Sequence, residues 1–378
     1  MSVGVYIHIP FCESHCHYCA FYSVVERTDM YDIYLDSLLR EIEMRANESG
    51  SATVDSIYFG GGTPSLFGAD RIYAVIEACR KVWSLDTDSE LTMEANPSSL
   101  AVRDYELYRD IGINRISLGV QSFSDFLLRK IGRIHTAHQA IQAVRRAYQA
   151  GLTNISVDLM YGLPNQSTND FRNSLLQVVH LPVSHVSVYG LTVEDGTYFG
   201  VQKQKNRLAL PSENEEWEMY QDMCRILPHY GFERYEIANF ARHGKRARHN
   251  QKYWHYRPYL GFGAAATSYI GNTRRTNVAD WKQYVAEIDG DGRWYEEEIL
   301  TKLQQVEEYV FMHLRTRTGI NTEHFKERFG HSFNDYYSDS FVQSICRSGL
   351  LSCKGRLIHL TDRGMALANS VMAEFILV

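Results

Sequence analysis

Short apolar runs and longer segments with helical spacing alternate along the first half of the chain. Apolar runs predict six buried β-strands, at 3–9, 54–59, 91–95, 115–120, 155–160 and 185–191. The segments between them carry apolar residues every three to four positions and predict amphipathic helices at 31–46, 71–82, 102–111, 138–150 and 171–180. This alternation, with short connections, predicts an α/β protein in which a parallel sheet with outer helices curls into a full or partial TIM-like barrel.

The alternation of strand and helix patterns becomes irregular after residue 211. The pattern there predicts a helix at 215–227, a short extended piece at 235–240, a basic run at 242–249 and an aromatic stretch at 253–262. The turn-rich segment 289–292 predicts a boundary between two domains, 1–290 and 291–378. Beyond it, helical patterns, short strands and a final helix predict a small winged-helix-like domain, at 299–314, 322–329, 341–348, 350–351 and 357–360.

Composition narrows the class of protein. A chain of 378 residues with 44% hydrophobic and 22% charged residues suits one large and one small globular domain. The net charge of −6, and a C-terminal domain without a basic face, argue against nucleic-acid binding. The sequence contains no apolar stretch of about 20 residues, so it predicts no membrane span. The N-terminus has no signal-peptide pattern. Seven cysteines, three of them clustered, suit a reducing cytosol.

The clustered thiols carry the strongest chemical signal. Cys12, Cys16 and Cys19 follow the first predicted strand and the break at Pro10. Three thiolates can hold a [4Fe–4S] cluster and leave one iron open, whereas a structural zinc site is normally closed by four ligands. A zinc site completed by one of three nearby histidines is the alternative, with His8, His15 or His17 as the fourth ligand. The spacing C-x3-C-x2-C fits no common zinc motif and favours iron–sulfur.

These residues resemble the signature of the radical S-adenosylmethionine (SAM) superfamily. The three cysteines with the aromatic Tyr18 match its cysteine motif, and the run 6–12 is similar to the branch that contains coproporphyrinogen dehydrogenases and HemW. The resemblance implies a (β/α)6 partial barrel. It also implies a [4Fe–4S] cluster whose open iron binds SAM, which an electron then cleaves to a 5′-deoxyadenosyl radical.

Two predicted strands end in motifs that fit a ligand site at the carboxyl edge of the barrel. Gly61, Gly62 and Thr63 follow the second strand, where residues without side chains let the backbone approach a ligand or simply form a tight turn. Glu94 ends the third strand and needs a cationic partner, either a ligand or a surface ion pair. The resemblance implies that both motifs contact SAM. The glycine motif would contact the amino group of SAM.

Three further polar residues converge on the same predicted edge. Gln121 ends the fourth strand, Arg133 follows within reach, and Asp158 is a charged residue within the otherwise apolar fifth strand. An amide, a guanidinium and a carboxylate could hold a ribose, a carboxylate and an adenine edge. The resemblance implies that these three line the SAM site, which Tyr6 also approaches.

A second motif lies at 249–254, with the sequence H-N-Q-K-Y-W. On composition it is a basic and aromatic segment that could pack in a core. It resembles the H-N-x-x-Y-W motif of HemW-type haem chaperones. Imidazole is a common haem ligand, and aromatic rings can stack on a porphyrin. The resemblance implies that His249 is a haem ligand or lies beside one.

Two departures separate a chaperone from a dehydrogenase. The dehydrogenases carry a fourth cysteine two residues after the third, and this chain has Phe21 at that position. The dehydrogenases also carry a segment ahead of the first strand. The resemblance therefore implies a cytoplasmic haem chaperone that delivers haem to respiratory proteins at the membrane surface, with an electron donor such as a flavodoxin. The alternatives are coproporphyrinogen III dehydrogenation and, more remotely, radical chemistry on another substrate such as RNA.

Overall fold

The protein is described by a computed structural model that covers residues 2–25, 28–48, 50–98 and 100–377. The strands are β1 Ser2–Ile9, β2 Thr53–Gly61, β3 Leu85–Ala95, β4 Arg115–Gln121, β5 Asn154–Tyr161, β6 His185–Gly190, β7 Glu233–Arg234, β8 Asn239–Ala241, β9 Tyr259–Phe262, β10 Thr267–Ile270, β11 Thr273–Asn277, β12 Tyr295–Ile299, β13 Ile320–Asn321, β14 Leu351–Lys354 and β15 Leu357–Leu360. The helices are α1 Tyr31–Met44, α2 Ala69–Val82, α3 Val102–Asp110, α4 Asp125–Lys130, α5 Ala137–Gln149, α6 Thr168–Val179, α7 Tyr198–Gln204, α8 Glu213–His229, α9 Arg248–Trp254, α10 Trp281–Asp289, α11 Lys302–Leu314, α12 Thr322–Phe329, α13 Asp339–Arg347, α14 Asp362–Ala366 and α15 Ala368–Ala373.

The six predicted βα units form a partial barrel. Strands β1 to β6 pair in parallel and in chain order, with helices between them. Alternate residues of each strand are apolar and fully buried under the helices, as Val5, Ile7 and Ile9 are in β1. The prediction of an α/β partial barrel is confirmed.

The other face of these strands lines the barrel lumen and is unusually polar. Side chains of neighbouring strands are hydrogen-bonded across it, in the pairs Tyr58–Glu94, Ser117–Asp158 and Ser156–His185. An outer face of aliphatic residues and an inner face of polar residues follow from the two-residue period of a strand. The lumen therefore carries groups that can hold a polar ligand.

The sheet continues past the six predicted strands. Strand β9 pairs in parallel with β1, and β10, β11 and β12 extend this edge in antiparallel fashion. The segments Thr273–Asn277 and Tyr295–Ile299 are largely polar, so no hydrophobic alternation marked them as strands. Helices α4, α7, α9 and α10 were not predicted either.

A buried carboxylate joins the barrel to this extension. Glu41 of α1 is fully buried and pairs with Arg45 at 2.7 Å. Its carboxylate accepts hydrogen bonds from the backbone N–H of Gly263, the amide of Asn277 and the hydroxyl of Tyr284, all within 2.8 Å. Burial of a charge is costly unless every oxygen has a partner, and here the extension supplies the partners.

The C-terminal part has a core of its own, which includes Leu300, Val310 and Phe325. Helices α12 and α13 precede the hairpin β14–β15, and β13 completes a three-stranded antiparallel sheet. This is the predicted order of helices, wing and final helix. The large sheet runs to Ile299, and the domain boundary at residue 290 stays a prediction. Within the described ranges, no helix combines the length and the apolar character needed to cross a bilayer.

Candidate iron–sulfur and SAM site

The three clustered cysteines lie on one loop that follows β1. Backbone hydrogen bonds close its base, from Cys12 N to the carbonyl of Val24 at 2.9 Å and from Val24 N to the carbonyl of Pro10 at 2.8 Å. A turn from Cys19 N to the carbonyl of Cys16, at 3.2 Å, sets the spacing of the last two thiols. All three thiols are free and half-buried, so a cofactor could reach them.

Two side chains from the barrel donate hydrogen bonds to these sulfurs. Thr63 Oγ1 donates to Cys12 Sγ at 3.7 Å, and Arg133 Nη1 donates to Cys16 Sγ at 3.4 Å. Asn96 joins the two donors, because its Nδ2 donates to Thr63 Oγ1 at 3.2 Å and its Oδ1 accepts from Arg133 Nη2 at 2.5 Å. The chain of contacts Cys12–Thr63–Asn96–Arg133–Cys16 thus ties the cysteine loop to the ends of three strands.

The electrostatics of the loop fit a bound cationic centre. Burial raises the pKa of the Cys12 and Cys19 thiols, and each neighbouring thiol raises it further. Burial likewise raises the pKa of Tyr18, whose hydroxyl lies beside Cys16. Thiolates are the form that binds metal, and a metal centre would stabilise them against this burial.

The zinc alternative finds little support in these contacts. Within the described ranges, no three His, Cys, Asp and Glu side chains lie close enough to hold a single metal ion. Both ring nitrogens of His8 are hydrogen-bonded, to Tyr6 and to the carbonyl of Tyr22, and His17 Nδ1 donates to the carbonyl of Lys130 at 2.9 Å. His15 Nδ1 contacts Ser23 at 3.4 Å. His8 therefore has no ring nitrogen left for a metal, and the three thiols stay the predicted donor set.

The glycine motif forms the turn that supports this loop. A Cβ on Gly62 would lie 2.6 Å from the carbonyl oxygen of Phe11, so a side chain there would displace the cysteine loop. Gly61 has a φ of +111°, which favours glycine, and its N–H donates to Glu94 Oε2 at 3.3 Å. The turn therefore requires glycine for close packing of backbone against backbone.

Glu94 lies at the end of β3 and faces the lumen. Its carboxylate accepts a hydrogen bond from the hydroxyl of Tyr58 at 2.7 Å. Burial raises the pKa of Glu94 to about 7, and the nearby Asp158 adds to the rise while the Tyr58 hydrogen bond opposes it. A cationic ligand beside this carboxyl would favour its charged form.

The remaining predicted residues surround the same edge. Asp158 accepts a hydrogen bond from Ser117 at 3.3 Å, and burial raises its pKa. Gln121 has a positive φ of 67° beside a register shift in β4, a strained backbone of the kind that is common at binding sites. Arg133 Nε is buried without a hydrogen-bond partner, although Arg133 Nη2 contacts the carbonyl of Gly119. The structure thus leaves cationic and anionic groups for a ligand that carries both charges.

Comparison with known proteins identifies the family. Residues 6–178 match the Radical SAM superfamily, and residues 300–367 match the HemN C-terminal domain. Heme chaperone HemW of Bacillus subtilis is 37% identical over 99% of both chains, and that of Lactococcus lactis is 36% identical over 99% of this chain and 97% of its own. The chain belongs to the HemW family of radical SAM proteins.

A solved structure gives the same fold. Coproporphyrinogen III oxidase (HemN) from Escherichia coli superposes with a TM-score of 0.87 over 99% of this chain and 90% of its own, at 25% sequence identity. Membership of the radical SAM superfamily implies a [4Fe–4S] cluster and SAM as cofactors. The three free thiols and the charged side chains of Glu94, Arg133 and Asp158 beside them fit these two groups.

The motif that the HemW resemblance singled out starts beside the first residues of β1 and β2, where His249 packs against Gly4 and Ser56. His249 of α9 is fully buried, its Nδ1 is hydrogen-bonded to Ser56 at 3.0 Å and its Nε2 to the hydroxyl of Tyr253 at 2.8 Å. Burial lowers the pKa of His249 to about 3. Neither ring nitrogen is left for an iron in this structure. The ring thus packs in the barrel, and the role of His249 at or beside a haem stays a prediction.

Two residues with structural roles beside these motifs were not predicted. Asn96 stands two residues after Glu94, and its link between Thr63 and Arg133 joins residues that are far apart in the chain. Glu90 of β3 accepts hydrogen bonds at 3.1 Å from the first two backbone N–H groups of α9, those of Arg248 and His249, and so holds this helix across the base of the barrel. The nearness of Asn96 to Glu94 in the sequence could have indicated Asn96, whereas no local signal indicated Glu90.

Proposed function

We propose that this protein is a haem chaperone, which binds haem and passes it to haem-requiring proteins. Similarity over the whole length of two proteins named Heme chaperone HemW carries this proposal. Phe21, at the position where the dehydrogenases have a fourth cysteine, points the same way. Respiratory proteins at the membrane surface, a flavodoxin-like electron donor and a cytoplasmic location are the finer parts of the proposal.

The cluster is held by Cys12, Cys16 and Cys19 in this proposal. The support is their shared loop, their half-burial and the hydrogen bonds that Thr63 and Arg133 donate to two of the sulfurs. Such hydrogen bonds to sulfur tune the potential of a cluster. Tyr18 packs beside Cys16 and shields this side of the loop from water.

SAM occupies the carboxyl edge of the barrel in the same proposal. The cation of SAM would pair with Glu94 and its carboxylate with Arg133, since these are groups with unsatisfied charge or hydrogen-bonding capacity. The turn of Gly61 and Gly62 packs against His8 and Phe11 and so places Thr63 beside the cysteine loop. Gln121, Asp158 and Tyr6 line the remaining walls and orient the sugar and base.

The bound cluster supplies an electron and an open iron site to SAM. The residues around the cluster exclude water and hold the carboxylate groups of the site in place. Haem transfer either uses this chemistry or needs only the folded, cofactor-bound state. Release of 5′-deoxyadenosine during transfer would indicate the first alternative, and its absence the second.

A direct experiment separates the proposed function from its alternative. The protein is reconstituted anaerobically with iron and sulfide, titrated with haem and, in parallel, incubated with coproporphyrinogen III, SAM and reductant. Stoichiometric haem binding without a vinyl product supports the chaperone. Formation of the vinyl product without retained haem contradicts it.

Coproporphyrinogen III dehydrogenation is the second candidate, and the superposition on HemN from Escherichia coli favours it. The identity of 25% to that enzyme is lower than the 36–37% identity to the HemW proteins. The fold therefore permits this reaction, while the sequence favours the chaperone.

A further inference from the structure

A slot lined by aromatic rings opens beside the cysteine loop, along the inner face of β1. Its volume is about 310 Å³, near the lower end of the range for ligand pockets. Six rings line it, those of Tyr6, His8, Phe21, Tyr22, Tyr253 and Tyr259. Ala265 and Thr267, two small residues, form the rest of its wall.

Phe21 stands on this slot with 76% of its side chain exposed, more than any other large hydrophobic residue in the described part of the chain. A benzyl group in water next to an aromatic slot forfeits the free energy of burial, about 1.5–3 kcal/mol for a side chain of this size. A single exposed apolar residue is common on protein surfaces, but this one borders a slot lined by five further rings. Phe21 would be covered by a ligand that extends beyond the slot.

The H-N-x-x-Y-W segment reaches the slot through its tyrosine. Tyr253 lines the wall, while its hydroxyl is hydrogen-bonded to the buried His249 at 2.8 Å. The ring of Tyr259 packs edge-on against Tyr253, with centroids 4.6 Å apart. His249 therefore acts on the slot as a positioning residue that fixes the Tyr253 ring.

The charge of the wall restricts the ligand. Of the eight lining residues only His8 can carry a charge between pH 5 and 8, and burial lowers the pKa of His8 to about 4, so it is neutral there. A neutral aromatic wall suits a flat apolar macrocycle whose few carboxylates point to solvent. Coproporphyrinogen is neither flat nor poor in carboxylates, and the slot offers it no cation.

We propose that this slot is the haem site, with the macrocycle against Tyr253 and Tyr259 and its outer part covered by Phe21. The proposal rests on the proposed function, because haem is the cargo of a haem chaperone. It assigns the H-N-x-x-Y-W segment a stacking role in place of iron ligation. The slot adjoins the cysteine loop, so cargo and cluster would share one face of the barrel.

Haem titration of the reconstituted protein, followed by Soret absorbance, tests the slot. Phe21→Ala should raise the Kd for haem about tenfold through lost stacking and burial. Thr267→Trp should fill the slot and raise the Kd at least as much. Phe311→Ala removes a phenylalanine that is 39% exposed on α11 and serves as the matched control, with an unchanged Kd. Iron and sulfide content is measured in each variant.

The outcomes separate the site from the function. If the unmodified protein binds no haem, the proposed function fails and the slot proposal fails with it. If the unmodified protein binds haem, and Phe21→Ala and Thr267→Trp bind it equally well with intact clusters, the slot is not the haem site while the chaperone function stands. Weakened binding in both variants, with the control unaffected, supports the slot.

Discussion

Asn96 and Arg133 are joined by a hydrogen bond of 2.5 Å, and this contact connects the two side chains that donate to cysteine sulfurs. Asn96 also donates to Thr63, the partner of Cys12, while Arg133 is the partner of Cys16. One amide therefore sets the positions of both donors.

Asn96→Ala should weaken the site without unfolding the protein. Loss of a hydrogen bond to a charged group costs about 1.5–3 kcal/mol, so SAM affinity should fall at least about tenfold. Equilibrium dialysis of labelled SAM on the reconstituted protein measures the change. Asn96→Asp keeps the acceptor for Arg133 and should lose less affinity; an equal loss in both variants would show that the Arg133 contact is unimportant.

Each of the variants Cys12→Ser, Cys16→Ser and Cys19→Ser should fail to hold the cluster, because three thiolates are the only ligands that the proposed cluster has. Iron and acid-labile sulfide per chain, with the visible charge-transfer absorbance, give the readout. Cys353→Ser changes an exposed thiol of the C-terminal domain and should retain the full content. A complete cluster in any of the three variants would refute the ligand assignment.

SAM binding should depend on the ionisation of Glu94. Burial raises the pKa of Glu94 to about 7, with Asp158 adding to the rise and Arg115 opposing it, and only the carboxylate attracts the SAM cation. The Kd for SAM should therefore rise as the pH falls through 7. Glu94→Gln should bind SAM more weakly at pH 7.5 and lose most of this pH dependence. An identical pH profile in both proteins would remove Glu94 from the SAM site.

The same pKa shift has a consequence for stability without SAM. A carboxyl group whose folded pKa lies above its unfolded value of 4.5 stabilises the fold fully below that value and loses this contribution as the pH rises through about 7. Glu94→Gln should flatten this part of the dependence of unfolding free energy on pH. Urea unfolding of the SAM-free protein at pH 5 and pH 8 provides the comparison.

His249→Ala should destabilise the barrel and leave the haem spectrum unchanged in shape. The substitution removes both hydrogen bonds of a buried ring and opens a cavity, which costs about 2–4 kcal/mol. Thermal unfolding measures the first effect, and the Soret position of the haem complex measures the second. A shifted Soret band with an unchanged Tm would identify His249 as a haem ligand after all.

Glu41→Gln should destabilise the junction between the barrel and its extension. Removal of the charge breaks a buried pair with Arg45 and weakens three hydrogen bonds, and breaking such a pair costs about 3–5 kcal/mol. Denaturant unfolding gives the change in free energy. Glu43→Gln alters an exposed carboxylate two residues further along the same helix and should shift the midpoint little.

Local patterns in the sequence were enough to predict the barrel. The strands β1 to β6 were predicted because apolar residues recur in short segments of each, and α12 was predicted at 322–329, as the structure has it. The cysteine spacing and the glycine turn are also local features, since their residues are close in the chain. Each of these signals depends on neighbours within about ten residues.

Contacts between distant segments decided the rest. The polar strands β11 and β12 form only because they complete an edge that β9 and β10 begin. The sequence identified the H-N-x-x-Y-W motif, but only tertiary structure showed that Glu90 anchors its helix and that His249 is buried against Ser56. A hydrogen-bond partner more than a hundred positions away leaves no trace in local spacing, so the burial of a side chain, and with it its chemical role, is set by the fold.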